Sequence, residues 1–93
     1  MAQKIQIRVK ITGRVQGVCF RAGTKTEADR LGLKGWVKNQ SDGSVEAVFE
    51  GDPVAVAQMA DWCRQGPFPA RVDHVLIYAE TSASGFTRFD ILY

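Results

Sequence analysis

Arg21 closes the stretch Gly13-Arg14-Val15-Gln16-Gly17-Val18-Cys19-Phe20-Arg21, in which the glycines stand four residues apart. Glycine lets a backbone turn through conformations closed to other residues. A tight loop that opens into a helix aims several N–H groups at one point, and that point attracts anions. A guanidinium at the end of the loop adds a fixed fork of donors matched to a phosphoryl group. The segment therefore reads as a phosphate cradle. The plainer alternative is an ordinary strand-to-helix turn that ends in a surface arginine.

A second segment runs Gly35-Trp36-Val37-Lys38-Asn39-Gln40-Ser41-Asp42-Gly43-Ser44-Val45-Glu46. Gly35, Val37 and Asn39 share one face of a strand, and Asn39 is the polar member of that set. Its carboxamide carries both a donor and an acceptor, which suits it to hold a water molecule in fixed orientation. The alternative is that Asn39 only shapes the turn into Asp42-Gly43.

Cys19 lies inside the anion loop, with only Phe20 between it and Arg21. A cysteine that attacks phosphorus stands at the start of such a loop, with the arginine at the far end. The spacing here argues for a packed or passive thiol. His74, the only histidine, sits mid-strand beside Asp73 and is expected to be a surface or satisfied core residue. Glu46 and Glu50 are expected on a solvated strand face, and no carboxylate pair has a spacing for acid/base work. There is no G-x-x-x-x-G-K-[ST] loop and no metal-ligand motif. A phosphate site equipped in this way suits a leaving group that departs unaided. A carboxylate does so, because its conjugate acid has a pKa of about 4. An acyl phosphate is the substrate class favoured, and the protein's task is to orient it and stabilise charge on its oxygens.

These residues need a scaffold. Ile5, Ile7, Val9 and Ile11 alternate with Lys4, Gln6, Arg8 and Lys10, a half-buried strand with a basic outer face. After the glycine loop, Phe20, Thr24, Ala28 and Leu31 recur at helical spacing, and Gly32 supplies the stop. Strands follow over Gly35–Asn39 and Ser44–Glu50, joined by Ser41-Asp42-Gly43 as a hairpin turn. Asp52 caps a second helix with Pro53 at its first position, Val56, Met59, Ala60 and Cys63 as its apolar stripe, and Gly66-Pro67 as its end. Val72–Ala79 is a fourth strand, Thr81–Gly85 a polar turn, and Phe89, Ile91 and Tyr93 a last strand. The fold class is α+β. The order β-α-β-β-α-β plus a terminal strand is the split βαβ, or ferredoxin-like, arrangement, with both helices on one face of the sheet.

At 93 residues the chain is expected to be one domain over 1–93. A net charge of +2 is too mild to imply nucleic acid or an anionic membrane as partner, and it is compatible with a small anionic substrate. Trp36 and Phe49 suggest stacking platforms for bases, but the aromatic-rich signature of a strand-based RNA binder is missing. No apolar run resembles a signal peptide or a membrane span. Two cysteines are too few for a disulfide framework, so reduced thiols in the cytoplasm are expected.

Taken together, the two segments resemble the signatures of the acylphosphatase family. Gly13 to Arg21 is similar to its G-R-V-Q-G-V-x-F-R loop at every specified position. Gly35-Trp36-Val37-Lys38-Asn39 and Asp42-Gly43-Ser44-Val45-Glu46 are similar to its second signature, and Gly66-Pro67, Ala70-Arg71-Val72 and Phe89 to Tyr93 extend the likeness along the chain. The resemblance implies hydrolysis of the carboxyl–phosphate bond without metal or cofactor. It implies that Arg21 binds the phosphate with the loop amides of Val15, Gln16, Gly17, Val18, Cys19 and Phe20. It implies that Asn39 positions the attacking water, that the bound phosphate takes the water's proton, and that the protein is a cytosolic monomer. Ala22-Gly23 departs from the family's preference for a large residue after the arginine, and is expected to loosen the first helical turn. Three other readings stay open: a non-catalytic anion-binding module, a relative acting on carbamoyl phosphate for a larger assembly, and a nucleic-acid binder of the same fold.

Overall fold

The computed structural model describes residues 3–93. The elements follow as β1 (Ile5–Arg14), α1 (Phe20–Arg30), β2 (Lys34–Asn39), β3 (Val45–Gly51), α2 (Pro53–Gln65), β4 (Arg71–Ser82) and β5 (Phe89–Leu92). The strands form one sheet in the order β4-β1-β3-β2-β5. All pairs are antiparallel except β2 with β5, which is parallel. This is the expected split βαβ order with the terminal strand added at the β2 edge.

Alternation on β1 and β3 sets the core. Ile7, Val9 and Ile11 pair with Phe49, Ala47 and Val45, and all six are buried on the helix side. Burial of each of these side chains except the smaller Ala47 is worth about 1.5–3 kcal/mol. Val56, Met59, Ala60 and Cys63 bring α2 onto this surface, as their spacing predicts, and Phe20, Thr24 and Ala28 do the same for α1. Asp52 accepts from the Val54 N–H at 2.9 Å, with Pro53 in the first turn. Helix α1 ends in paired return bonds, Gly32 N–H to Asp29 and Leu33 N–H to Ala28, with Gly32 left-handed. Phe49 stacks on Phe89 with centroids 5.7 Å apart, so it is core and not a platform for bases. Trp36 lies on the outer face under the Arg8 guanidinium.

Three local expectations are corrected. Gly13 belongs to β1, not to the loop. It faces Val72 beside a register shift, and a Cβ there would lie 2.2 Å from the Arg71 carbonyl oxygen. The glycine is needed for strand contact, and the loop begins at Val15. Gly23 is a packing position inside a formed first turn: its bare Cα lets α1 approach Trp62 and Pro67, where a Cβ would sit 3.3 and 3.1 Å away. Strand β4 runs on through Thr81 and Ser82, because it continues to pair with Gln6 and Ile5 of β1.

Glu50 is the third correction. It is 3% exposed and not on a solvated face. Its carboxylate accepts from the N–H groups of Ser84 (2.6 Å), Gly85 (3.0 Å) and Phe86 (2.8 Å) and from Gln6 Nε2 (3.0 Å). A period-two pattern gives the side of the sheet, but not what folds over it. Here the β4–β5 connection covers Glu50 and is tied down by it. Desolvation pushes the carboxyl pKa up, but donation from Ser84, Gln6, Phe86 and Gly85 outweighs it and holds the group below its ordinary value. A depressed carboxyl stabilises the fold above the unfolded pKa and loses that contribution as pH falls through the folded one.

Glu50→Gln leaves donors facing an amide N–H₂ and is expected to lower stability by about 1–3 kcal/mol near neutral pH, measured by urea unfolding. The gap from wild type is expected to narrow as pH drops below the carboxylate range, about 4. A gap that widens on acidification contradicts the assignment. Gly13→Ala, which forces a Cβ into the β4 backbone, is expected to cost more than about 2 kcal/mol in the same assay.

Candidate active site

The β1–α1 loop runs from Val15 to Cys19 and is anchored at both ends. Val15 and Phe20 are each 1% exposed, and Phe20 packs against Trp62 with ring centroids 5.8 Å apart. Between these anchors the chain turns back on itself. Gly17 has φ 73° and Cys19 φ 61°, both left-handed. Cys19 is the only non-glycine residue with positive φ among those described. A side chain held there costs of order 1–3 kcal/mol, and such residues cluster at functional sites. Cys19 is also the N-cap of α1, yet its side chain caps nothing. Its carbonyl accepts from Gly23 N–H at 3.0 Å, so the first turn is formed.

Among the described residues, the N–H groups of Gln16 to Phe20 have no hydrogen-bond acceptor. Helix starts leave such donors free, and a non-glycine cap without an accepting side chain leaves them more so. The loop thus presents a curved row of amides at the positive end of α1, suited to an anion.

The loop borders a cleft of about 340 Å³ lined by Val15, Gly17, Cys19, Phe20, Arg21, Ala22, Asn39, Ile91 and Tyr93. Arg21 and Asn39, separated by 18 positions in the chain, therefore meet at one hollow. Gln16 and Val18 do not line it. Gln16 reaches sideways to the β2–β3 turn, and Val18 packs against the core. Arg21 lies on the first turn of α1. Its Nη1 donates to the Leu92 carbonyl at 3.1 Å, and its guanidinium carbon sits 4.8 Å from the Tyr93 ring centroid. Both partners are neutral groups, and among the described residues no carboxylate side chain pairs with this cation.

Asn39 ends β2 opposite Val45. Its Oδ1 is buried and has no hydrogen-bond partner among the described residues. A buried amide oxygen without a partner is uncommon and calls for a reason, and here it lines the cleft. The turn beyond it is fixed from the far side. Asp42 accepts from Ser44 N–H (2.9 Å) and Oγ (2.6 Å) and pairs with Lys10 at 2.8 Å, and Lys10 followed by Ser44 holds its carboxyl well below the usual carboxylate range.

The other candidates separate cleanly. Cys63 is fully buried, and desolvation pushes its thiol pKa up to about 12. Cys19 is a free, exposed thiol on the cleft wall. His74 is exposed on β4 and lines none of the cleft. Sequence reasoning missed Leu92, Tyr93, Ile91 and Ala22 as site components. The alternation of Phe89, Ile91 and Tyr93 gave their shared side, but only the parallel pairing of β5 with β2 brings them to the start of α1.

Comparison with known proteins gives the family and the fold. The acylphosphatase family model matches residues 7–91. An acylphosphatase of Gloeobacter violaceus is 51% identical over 92 residues, covering 99% of this chain and 98% of that protein. The crystal structure of acylphosphatase from Bacillus subtilis superposes with a TM-score of 0.92 at 39% identity, covering 96% of this chain and 99% of the other. An acylphosphatase structure from Coxiella burnetii gives a TM-score of 0.91 at 34% identity, over 97% and 94% of the two chains. With a match that spans both signatures and nearly every element, this chain belongs to the acylphosphatase family.

Proposed function

We propose that this chain carries out its family's reaction, hydrolysis of acyl phosphates, in the cleft between the Val15–Phe20 loop and the end of β2. The single observation that carries this is the convergence of Arg21 and the unpartnered Asn39 Oδ1 on one cleft beside a row of free backbone donors.

The phosphoryl group of the substrate sits on the loop amides of Gln16 to Phe20 and takes one edge of the Arg21 guanidinium. The Tyr93 ring and the Leu92 carbonyl orient that guanidinium before the substrate arrives. Asn39 Oδ1 accepts a hydrogen bond from the incoming water and aims its oxygen at phosphorus, opposite the acyl oxygen. The new P–O bond forms to water as the bond from phosphorus to the acyl oxygen breaks. The products are a carboxylate and inorganic phosphate, and the water's proton passes to a phosphate oxygen. The loop and Arg21 stabilise charge on the equatorial oxygens. A carboxylate leaves without protonation. Accordingly no metal or cofactor enters the scheme, and no acidic or histidine side chain is needed on the cleft wall.

The acyl portion meets Ala22, Ile91 and Tyr93, which offer apolar surface. Every component comes from one chain, and Cys19 and Cys63 are free thiols. Residues 1–93 are read as one domain that works as a monomer in the reducing cytoplasm.

Arg21→Ala and Asn39→Ala should fail differently. Arg21→Ala is expected to abolish competitive inhibition by inorganic phosphate and to reduce kcat/KM for benzoyl phosphate by at least about a hundredfold. Asn39→Ala is expected to lower kcat by a similar factor while phosphate inhibition is kept. If either variant hydrolyses benzoyl phosphate at the wild-type rate, its assigned role is wrong. Phosphate release from benzoyl phosphate is also expected to continue unchanged after exhaustive treatment with chelator. Loss of turnover there, restored by a divalent ion, refutes the metal-free scheme.

A further inference from the structure

The Gln16 side chain does something that its place in the loop does not explain. It leaves the cleft and reaches the β2–β3 turn, where Nε2 donates to the Gln40 carbonyl at 2.7 Å and the Ser44 carbonyl at 2.9 Å. Both partners are acceptors, so the amide nitrogen, not its oxygen, must face them. Both protons of the –NH₂ group are used. The residue is half-buried, which shields the bonds from water.

The place of contact matters. Gln40 directly follows Asn39, and its N–H donates to the Ser44 carbonyl at 2.8 Å, closing the turn at the end of β2. Strands β1 and β2 are not neighbours, because β3 lies between them. At the usual strand spacing, the loop after β1 and the end of β2 are about 10 Å apart. No ladder bond links them directly. Gln16 spans that gap over the start of β3, touching the residue before β3 and the residue after Asn39. From the other side, Gln40 Nε2 donates to Glu46 Oε1 at 2.9 Å, and the Tyr78 hydroxyl donates to the other Glu46 oxygen. The turn is thus held between β4 and the phosphate loop.

We infer that the Gln16 side chain is a positioning residue for hydrolysis: it sets the separation between the loop that holds phosphorus and the Asn39 amide that aims the water. It touches neither reactant. In-line attack is sensitive to this distance, since a misplacement of about 1 Å can cost on the order of a hundredfold in rate. The inference rests on the role proposed above for Asn39, and it assigns a side chain that this role does not use.

A double-mutant cycle separates the two. The variants are Gln16→Met, which keeps length and removes both donors, and Gln16→Lys, whose ammonium can donate to both carbonyls. Each is made alone and with Asn39→Ala. Each is assayed with benzoyl phosphate and with inorganic phosphate as competitive inhibitor, after circular dichroism has shown a folded chain. Gln16→Met alone is expected to lower kcat on the order of 10–100-fold, with the phosphate inhibition constant within about threefold of wild type, and Gln16→Lys to recover most of the loss. In the Asn39→Ala background, Gln16→Met is expected to change kcat by less than about threefold, because the group it positions is gone. An equal fall in both backgrounds, an unchanged kcat, or a fall matched by lost phosphate inhibition overturns the inference. A wild-type kcat in Asn39→Ala alone overturns the reading beneath it and the inference with it, a result distinct from a failure of Gln16 because it appears before Gln16 is altered.

Discussion

A row of amide donors that cannot bond to its own chain is the constraint around which this molecule is arranged. Left to itself, a loop with free N–H groups relaxes until water or a neighbouring carbonyl satisfies them. Here relaxation is blocked at each point. Val15 and Phe20 pin the ends in the core, Cys19 is held left-handed between them, and Gln16 is bonded to the next turn by its side chain. The donors stay aimed at one place because their carrier has nowhere else to go. Local strain at Cys19, of order 1–3 kcal/mol for a left-handed side chain, is matched in size by the burial of Phe20 against Trp62, about 1.5–3 kcal/mol.

The scaffold distributes its tasks by position along the sheet. At one end, β1 and β2 finish on either side of β3 and deliver the Val15–Cys19 loop and Asn39. At the other end, where Ile5 faces Gly51, the Glu50 carboxylate gathers the connection from β4 to β5. That second cluster never approaches the cleft, yet it determines where β5 enters the sheet. Through β5 it determines where Leu92 and Tyr93 lie relative to Arg21. Stability and site geometry are therefore coupled over the length of the domain by one buried carboxylate and one parallel strand pair.

Most of this scaffold was legible in the residues. The stripes Ile7-Val9-Ile11 and Val56-Met59-Ala60-Cys63 gave the buried faces, because a period of two or of 3.6 maps directly onto one side of an element. Asp52-Pro53 and Gly32 gave helix ends for equally local reasons. Arg21 and Asn39 stood out because each sits where a pattern breaks. What stayed hidden was non-local. The pattern of Glu46 and Glu50 was that of a wet face, and nothing nearby in the chain announced that residues 84–86 fold over Glu50. Gly13 looked like a loop residue because the contact that demands it comes from Arg71, nearly sixty positions on. Gly23 looked like a weak point of the helix because Trp62 and Pro67 approach it from another element. Tyr93 follows directly on β5, and the parallel pairing of that strand with β2, not the alternation, brings it beside Arg21.

The company Arg21 keeps has a last implication. Its resting partners, a peptide carbonyl and an aromatic face, are held to it by dipole and quadrupole and carry no formal charge. The guanidinium therefore enters each encounter with its full valence unspent. Under the proposed reaction, an arriving dianion meets no rival carboxylate among the described residues and disturbs only weak attachments. In the reaction proposed above, the same carbonyl and ring remain within reach when phosphate departs, so the cation has a ready seat to return to.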